Sequence, residues 1–383
     1  MLTRNISFKN FQLKKNSKKI EKDFILLLKE ENKVIKSLGN FYKNNYNKKI
    51  IEKLKKYTNF RILGMGGSIL GAESIFSFLS HKIKKKFNFI NSLNHDQKLS
   101  KKKCINLIIS KSGNTLETIA NSNILIKKKD INIFITENKK SYLLSLAEKL
   151  KSEVINHNNY IGGRYSVLSE VGMLPAELMG LDIKKFKQLN NIIKNKKFIS
   201  ALIANVRSTL YFMRNKKFNS VILNYDEKSN DLFKWYQQLV AESLGKKENG
   251  ILPIISSMPK DNHSVMQHYL DGTKNNFFTF FYVRNKSSIK INNNKILHEK
   301  NFLKNKSISQ IMYAQKKATE NVFLKKNIPF RSFEIINRNE EALGELFCFF
   351  ILETILIGRS LKINPYNQPA VELIKKETQK ILF

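Results

Sequence analysis

Twice in the first third of the chain, a short apolar run breaks into glycines or hydroxyls and then into a helix-forming stretch. The first case is NFRILGMGGSILGAESIFSFLS at 59–80, with glycines at 64, 66 and 67; the second is INLIISKSGNTLETIANSNILIKK at 105–128. Such runs are too short for helices and too uniformly apolar for a half-exposed strand, so they suit strands covered on both faces. FNFIN at 87–91, INIFIT at 131–136 and EVINH at 153–157 continue the series, with helical stretches between several of them. That rhythm predicts a parallel sheet with helices on both faces. Helical material over about 183–214 precedes a second series, NSVILNY at 219–225, ILPIISSM at 251–258 and NFFTFFYV at 276–283, closed by a long helix near 340–358. The sequence therefore reads as a helical segment over 1–50, a first α/β domain over 51–200 and a second over 201–383. The segment before residue 50 carries no distinctive block and is expected to pack as helices against the first domain.

The chain of 383 residues is 42% hydrophobic, enough for real cores and too much for a disordered polymer. Its formal charge of +37 is its most conspicuous bulk property. Lysines run along the whole chain among Asn and Ile, as in FLKKNIPF at 323–330, which reads as compositional drift and a solvated basic surface. A nucleic-acid groove concentrates arginines and aromatics in one region, so no specific nucleic-acid partner is expected. Two cysteines, Cys104 and Cys348, give no disulfide framework and fit a reducing compartment. FILLL at 24–28 is too short for a signal segment, and LFCFFIL at 346–352 is bounded by Glu345 and Glu353, so neither spans a membrane. A cytoplasmic location is expected.

Ligands of parallel sheets sit beyond the carboxyl ends of the strands, which is where Ser110 to Thr115 fall. Asn114 and Glu117 have the spacing of a capping box, placing a helix start beside the hydroxyls of Ser110, Ser112 and Thr115. Hydroxyls, backbone N–H groups and the helix terminus together suit an anion, with phosphate the natural guest, Gly113 permitting the tight turn and Lys111 adding charge. The turn at Gly64–Ser68 lacks the full dinucleotide spacing, since position 69 is Ile, and no phosphate-loop Lys-Ser pair follows. Two such strand ends in one domain suggest a sugar-phosphate crevice. The bland alternative is an ordinary turn and cap.

Four candidates for chemistry lie elsewhere. Glu242 follows the largely apolar run WYQQLVA just before Gly245; partial desolvation there would raise its pKa and make it a better base, whereas a surface position would leave it ordinary. His263, in KDNHSVMQHYLDG, sits at a turn, and His268 five residues on would point about 140° away on a helix. Neither histidine has a spaced Cys or carboxylate set, so no metal is expected. Arg164 follows Gly162 and Gly163, which let the backbone pass close to a ligand while the guanidinium reaches in; a loop arginine paired with a surface acid is the alternative. Lys375 carries little weight alone in so lysine-rich a chain. A carboxylate, a histidine, an arginine and a phosphate cradle suit proton abstraction beside a carbonyl on a phosphorylated sugar.

Taken in order, GMGGSILG at 64–71, SKSGNTLET at 110–118, GGRYSVLSEVGMLP at 162–175, ESLGK at 242–246, DNHSVMQ at 261–267, LGELF at 343–347 and NPYNQPAVELIK at 364–375 resemble the phosphoglucose isomerase family, shorter bacterial type. The resemblance implies two sugar-isomerase (SIS-type) three-layer αβα sandwich domains with parallel-rich sheets. It also implies a homodimer with active sites at the interface, a hexose 6-phosphate substrate and no cofactor. By that resemblance Glu242 is the base, His263 assists ring opening from the neighbouring subunit, Lys375 works at the ring oxygen and Arg164 steadies the enediolate. Ser110, Lys111, Ser112 and Thr115 match the phosphate loop, Gly67 and Ser68 the glycine turn, and Gln368 lines the sugar site. Tyr366 and Asn367 depart from the family's usual Phe-Asp, and Ala370 from a common glycine; losing the carboxylate at 367 is expected to alter the field near Lys375. Competing expectations are a noncatalytic sugar-phosphate sensor and a polyanion-binding protein driven by the charge; broader scope toward mannose 6-phosphate is a further option.

Overall fold

The structure is a computed structural model, described here for residues 1–11, 17–93, 104–285 and 287–382. Among the described residues, ten strands form two five-stranded sheets. In chain order they are β1 (Ile6–Lys9), β2 (Asn59–Gly64), β3 (Lys86–Ile90), β4 (Ile105–Ile109), β5 (Ile131–Thr136), β6 (Glu153–Asn156), β7 (Asn219–Asn224), β8 (Leu252–Ser257), β9 (Asn276–Val283) and β10 (Phe330–Ile335). The first sheet has order β3-β2-β4-β5-β6, parallel throughout. Every residue of β4 is buried, as a strand covered on both faces requires. Gly64 lies opposite Ile109 in the β2–β4 register, so the glycine turn and the Ser110 turn leave the sheet side by side at its carboxyl edge.

The second sheet has order β1-β10-β9-β7-β8 and is parallel except for β1, which runs antiparallel to β10. The N-terminal segment thus departs from expectation in its first thirty residues. Its first strand closes the edge of the second sheet, and Thr3 Oγ1 donates to Glu345 Oε2 at 2.7 Å. The helix Lys18–Lys29 packs on Lys196–Arg214 and Glu340–Ser360, not on the first sheet. The physical reason is the exposed backbone edge that β10 would otherwise present. The later helices do turn to the first half: Lys33–Ser37 packs on the Gly163–Leu168 turn and Lys48–Leu54 on Glu170–Leu178, with Tyr42 and Tyr46 donating to Glu170 and Glu177 between them.

Glu340–Ser360 is apolar on almost every face and buried along nearly its whole length. No helix among the described residues is long and apolar enough to cross a membrane. Beside it, Asn230–Leu244 packs both on this central helix and on Leu70–Phe78 of the first half. Trp235, Leu239, Phe347, Ile75 and Phe78 belong to one continuous core, so the two sheets are joined by packed side chains.

A buried charge sits inside that core. Arg331 donates to Glu353 Oε1 at 2.5 Å, Asn205 Oδ1 at 2.9 Å, Thr279 Oγ1 at 2.9 Å and Tyr236 Oη at 3.1 Å. Removing one partner of such a pair strands the other in low dielectric. Glu353→Ala is expected to lower the unfolding free energy by roughly 3–5 kcal/mol in urea denaturation, against under about 1 kcal/mol for removing the exposed Glu377 of the Lys380 pair.

Candidate active site

Two adjacent strand ends of the first sheet are shaped by glycines that tolerate no side chain. After β2, Gly66 adopts φ +52°, and a Cβ on Gly67 would lie 2.1 Å from the carbonyl carbon of Gly163. The glycine turn therefore sits backbone to backbone against the turn that carries Arg164. After β4, Gly113 adopts φ +66°, with the Ser141 hydroxyl 2.2 Å from where a Cβ would be. Ser110 Oγ and Thr115 Oγ1 are 2.9 Å apart, and Ser112 Oγ accepts from the Asn114 amide at 3.2 Å.

The helix Leu116–Leu125 starts beside these hydroxyls, but the expected capping box is not formed. Asn114 Oδ1 accepts from the Tyr142 amide at 2.9 Å, and Thr115 stands at the N-cap without a side-chain bond to the helix. The first turn of this helix is thereby uncapped by either side chain. Lys111 is less free than its sequence suggests: Nζ donates to the Asn159 carbonyl at 2.7 Å and lies 3.4 Å from Glu137 Oε1.

Arg164, 2% exposed, organises the junction of the two halves. Nη1 is 2.9 Å from Glu242 Oε1 and donates to Gln368 Oε1 at 2.9 Å. Nη2 donates to the carbonyls of Pro365 (2.7 Å) and Asn367 (3.1 Å), and Nε to Ser243 Oγ at 2.8 Å. Glu242 projects from the last turn of Asn230–Leu244, and its side chain keeps 23% exposure, so one flank of the ion pair faces open space. The Asn367 departure is benign for this contact, because Arg164 uses the backbone carbonyl there.

Two participants were missed from the sequence. Gln238 Nε2 donates to Glu242 Oε2 at 3.0 Å, while its buried Oε1 has no hydrogen-bond partner among the described residues. It stands one helical turn before Glu242, and that i, i+4 spacing was the signal available in QQLVAES. Lys246 donates to the carbonyls of Ser243 (2.9 Å) and Asn364 (2.7 Å), tying the helix end to the 364–368 segment. Burial, and then the neighbouring Arg164 charge, push its pKa down to about 8 against a pull from Glu242.

Two expected residues stand apart. His263 is exposed on the Lys260–His263 turn after β8, and Lys375 is exposed on the helix Val371–Leu382, paired with Glu372 at 2.7 Å. Among the described residues, neither has a hydrogen bond or ion pair to the Glu242–Arg164 centre.

Tandem sheets, one parallel and one parallel but for its edge strand, are the architecture of a sugar-isomerase-type α/β protein. The chain belongs to the phosphoglucose isomerase family, whose model matches residues 12–382. It is 34% identical over 371 residues to the glucose-6-phosphate isomerase of Methanocaldococcus jannaschii, covering 92% of this chain and 90% of that one. The glucose-6-phosphate isomerase of Mycoplasmopsis pulmonis is 34% identical over 378 residues, with 88% of each chain covered. In fold it is similar to a hypothetical protein of Thermus thermophilus, at TM-score 0.82 and 20% identity over 95% of this chain and 94% of that one. The crystal structure of a glucose-6-phosphate isomerase from Chlamydia trachomatis matches at TM-score 0.70 and 18% identity, over 87% and 71%.

The abutting turns give a contrast between two neighbouring glycines. Gly67→Ala must push the Gly163–Arg164 backbone away and is expected to lose about 1–3 kcal/mol. Gly163→Ala meets nothing closer than 3.5 Å and is expected to change stability by under about 0.5 kcal/mol. Chemical denaturation of the two variants side by side reads the difference.

Proposed function

We propose that the chain interconverts D-glucose 6-phosphate and D-fructose 6-phosphate, in glycolysis and gluconeogenesis, through a cis-enediolate. The observation that carries this reading is the Glu242 carboxylate held 2.9 Å from a buried guanidinium and open on one flank. In the forward direction Glu242 takes the proton from C2 of the opened aldose. The C2–H electrons form the C1–C2 double bond, and the carbonyl electrons pass to O1. Collapse of the enediolate delivers the same proton to C1, leaves the carbonyl at C2 and moves the O2 proton to O1. One carboxylate serves both carbons because they are adjacent, and Arg164 offers positive charge where the oxyanion develops.

The phosphate end belongs to Ser110, Lys111, Ser112 and Thr115, with Gly67 and Ser68 forming the neighbouring wall and Gln368 set by Arg164 toward the sugar. Binding energy from that remote group holds the flexible open chain against the base. Ring opening falls to His263 and Lys375, neither of which is engaged at the centre within one chain. This favours a homodimer in which His263 comes from the second copy. The terminal helix supports that assembly: it buries no residue and exposes Val371, Leu373, Ile374, Ile381 and Leu382. A cytoplasmic location fits the chemistry.

Two substitutions separate chemistry from binding. Glu242→Gln keeps shape and polarity but removes the base, so kcat for fructose 6-phosphate conversion is expected to fall by roughly 10²–10⁴ with KM little changed. Ser112→Ala is expected to raise KM while leaving kcat near the parent value. A Glu242→Gln protein that retains most of its turnover contradicts the assignment.

A further inference from the structure

Glu170 is fully buried at the first position of the helix Glu170–Leu178, immediately after the Gly163–Leu168 turn that carries Arg164. The N-cap itself is Ser169, and a carboxylate at the following position carries a far larger desolvation cost than a neutral side chain would. Three groups from two other segments converge on it. Tyr42 Oη donates to Oε2 at 2.9 Å, the Asn158 amide donates to Oε1 at 2.9 Å, and His157 Nδ1 lies 3.3 Å from Oε1. Burial works against ionisation, but the contacts from His157 and the Asn158 amide prevail and hold the carboxyl below its usual range. The helix terminus adds its own attraction for negative charge.

These contacts lie along the path between the phosphate loop and Arg164. Residues 157–162 run from the end of β6 to the glycines before the arginine. Their carbonyl at Asn159 accepts from Lys111 of the phosphate loop, and the next amide back, Asn158, is the one bound by Glu170. Beyond the turn, buried Lys187 donates to the carbonyls of Leu168 and Ser37, with Nζ 4.8 Å from the Tyr42 ring centre. In the middle, Trp235 Nε1 donates to the Arg164 carbonyl at 3.1 Å. The Arg164 turn is gripped before, within and after, and Glu170 joins the first grip to the last through Tyr42.

We propose that Glu170 is a positioning residue for Arg164, fixing the guanidinium where the enediolate charge develops. The inference rests on the reading of Arg164 given above. Glu170 touches no substrate; it acts through the backbone of the turn, and displacement of a reacting group by about 1 Å can slow chemistry by two orders of magnitude.

Glu170→Gln keeps the acceptor for the Asn158 amide and removes the charge. In the folded dimer, kcat for fructose 6-phosphate is expected to fall about tenfold with KM changed less than about twofold. Combined with Arg164→Lys, the second substitution should change kcat by less than about twofold, because residues acting through one group are not additive. Tyr42→Phe loosens only one contact and should show the same split at about threefold, which keeps the test open if Glu170→Gln fails to fold. Parent kcat in the folded variants, or effects that multiply with Arg164→Lys, overturns the inference. Parent turnover in Arg164→Lys alone overturns the role of Arg164 itself, and the two failures are thereby distinguishable.

Discussion

A guanidinium taken out of water has to find acceptors for its fixed fork of donors. Arg164 finds them on the end of the Asn230–Leu244 helix and on the 364–368 segment, far apart in sequence. Satisfying that one charge draws Glu242, Ser243 and Gln368 to a common point. It also explains the glycines: the arginine turn reaches the junction only because Gly67 lets it lie backbone to backbone against the first strand end. Lys246 reinforces the same convergence from the far side.

The site is therefore a product of how the two halves pack. Asn230–Leu244 follows a strand of the second sheet, yet it buries its apolar face against Leu70–Phe78 of the first and against the central helix. That crossing carries Gln238 and Glu242 to the glycine turn, with Gln238 filling the space that a side chain on Gly66 would need. Phosphate capture and proton transfer are assigned to different halves, and the shared core around Trp235 and Phe347 joins the two.

How much of this was legible depended on physical circumstance. Buried parallel strands such as β4 and β5 read directly, because burial on both faces demands continuous apolar runs. The strands β1 and β10 escaped notice: ISFK is only four residues long, and FRSFEI contains Arg331 and Glu334, which resemble a polar loop until Glu353 is seen to neutralise the arginine inside the core. The capping box at Asn114 had the right spacing, but Tyr142 from another helix competed for the side chain. Local spacing cannot register such a competitor. Arg164 and Glu242 were separate candidates in the sequence; their pairing is a tertiary fact. His263 was a candidate from its turn and Lys375 from the family resemblance alone, and within one chain both stay at the surface.

The formal charge of +37 plays no part in holding the site together, since the buried cations have specific partners in Glu242, Glu353 and backbone carbonyls. Under the proposed reading, a carboxylate on the second half faces the reacting carbons of a sugar whose phosphate is gripped by the first. A crystal structure with fructose 6-phosphate at equilibrium tests it most directly. The phosphate is expected among Ser110, Ser112 and Thr115, with a Glu242 oxygen within about 3.5 Å of C1 and C2. Phosphate bound elsewhere, or Glu242 turned away from those carbons, would contradict it.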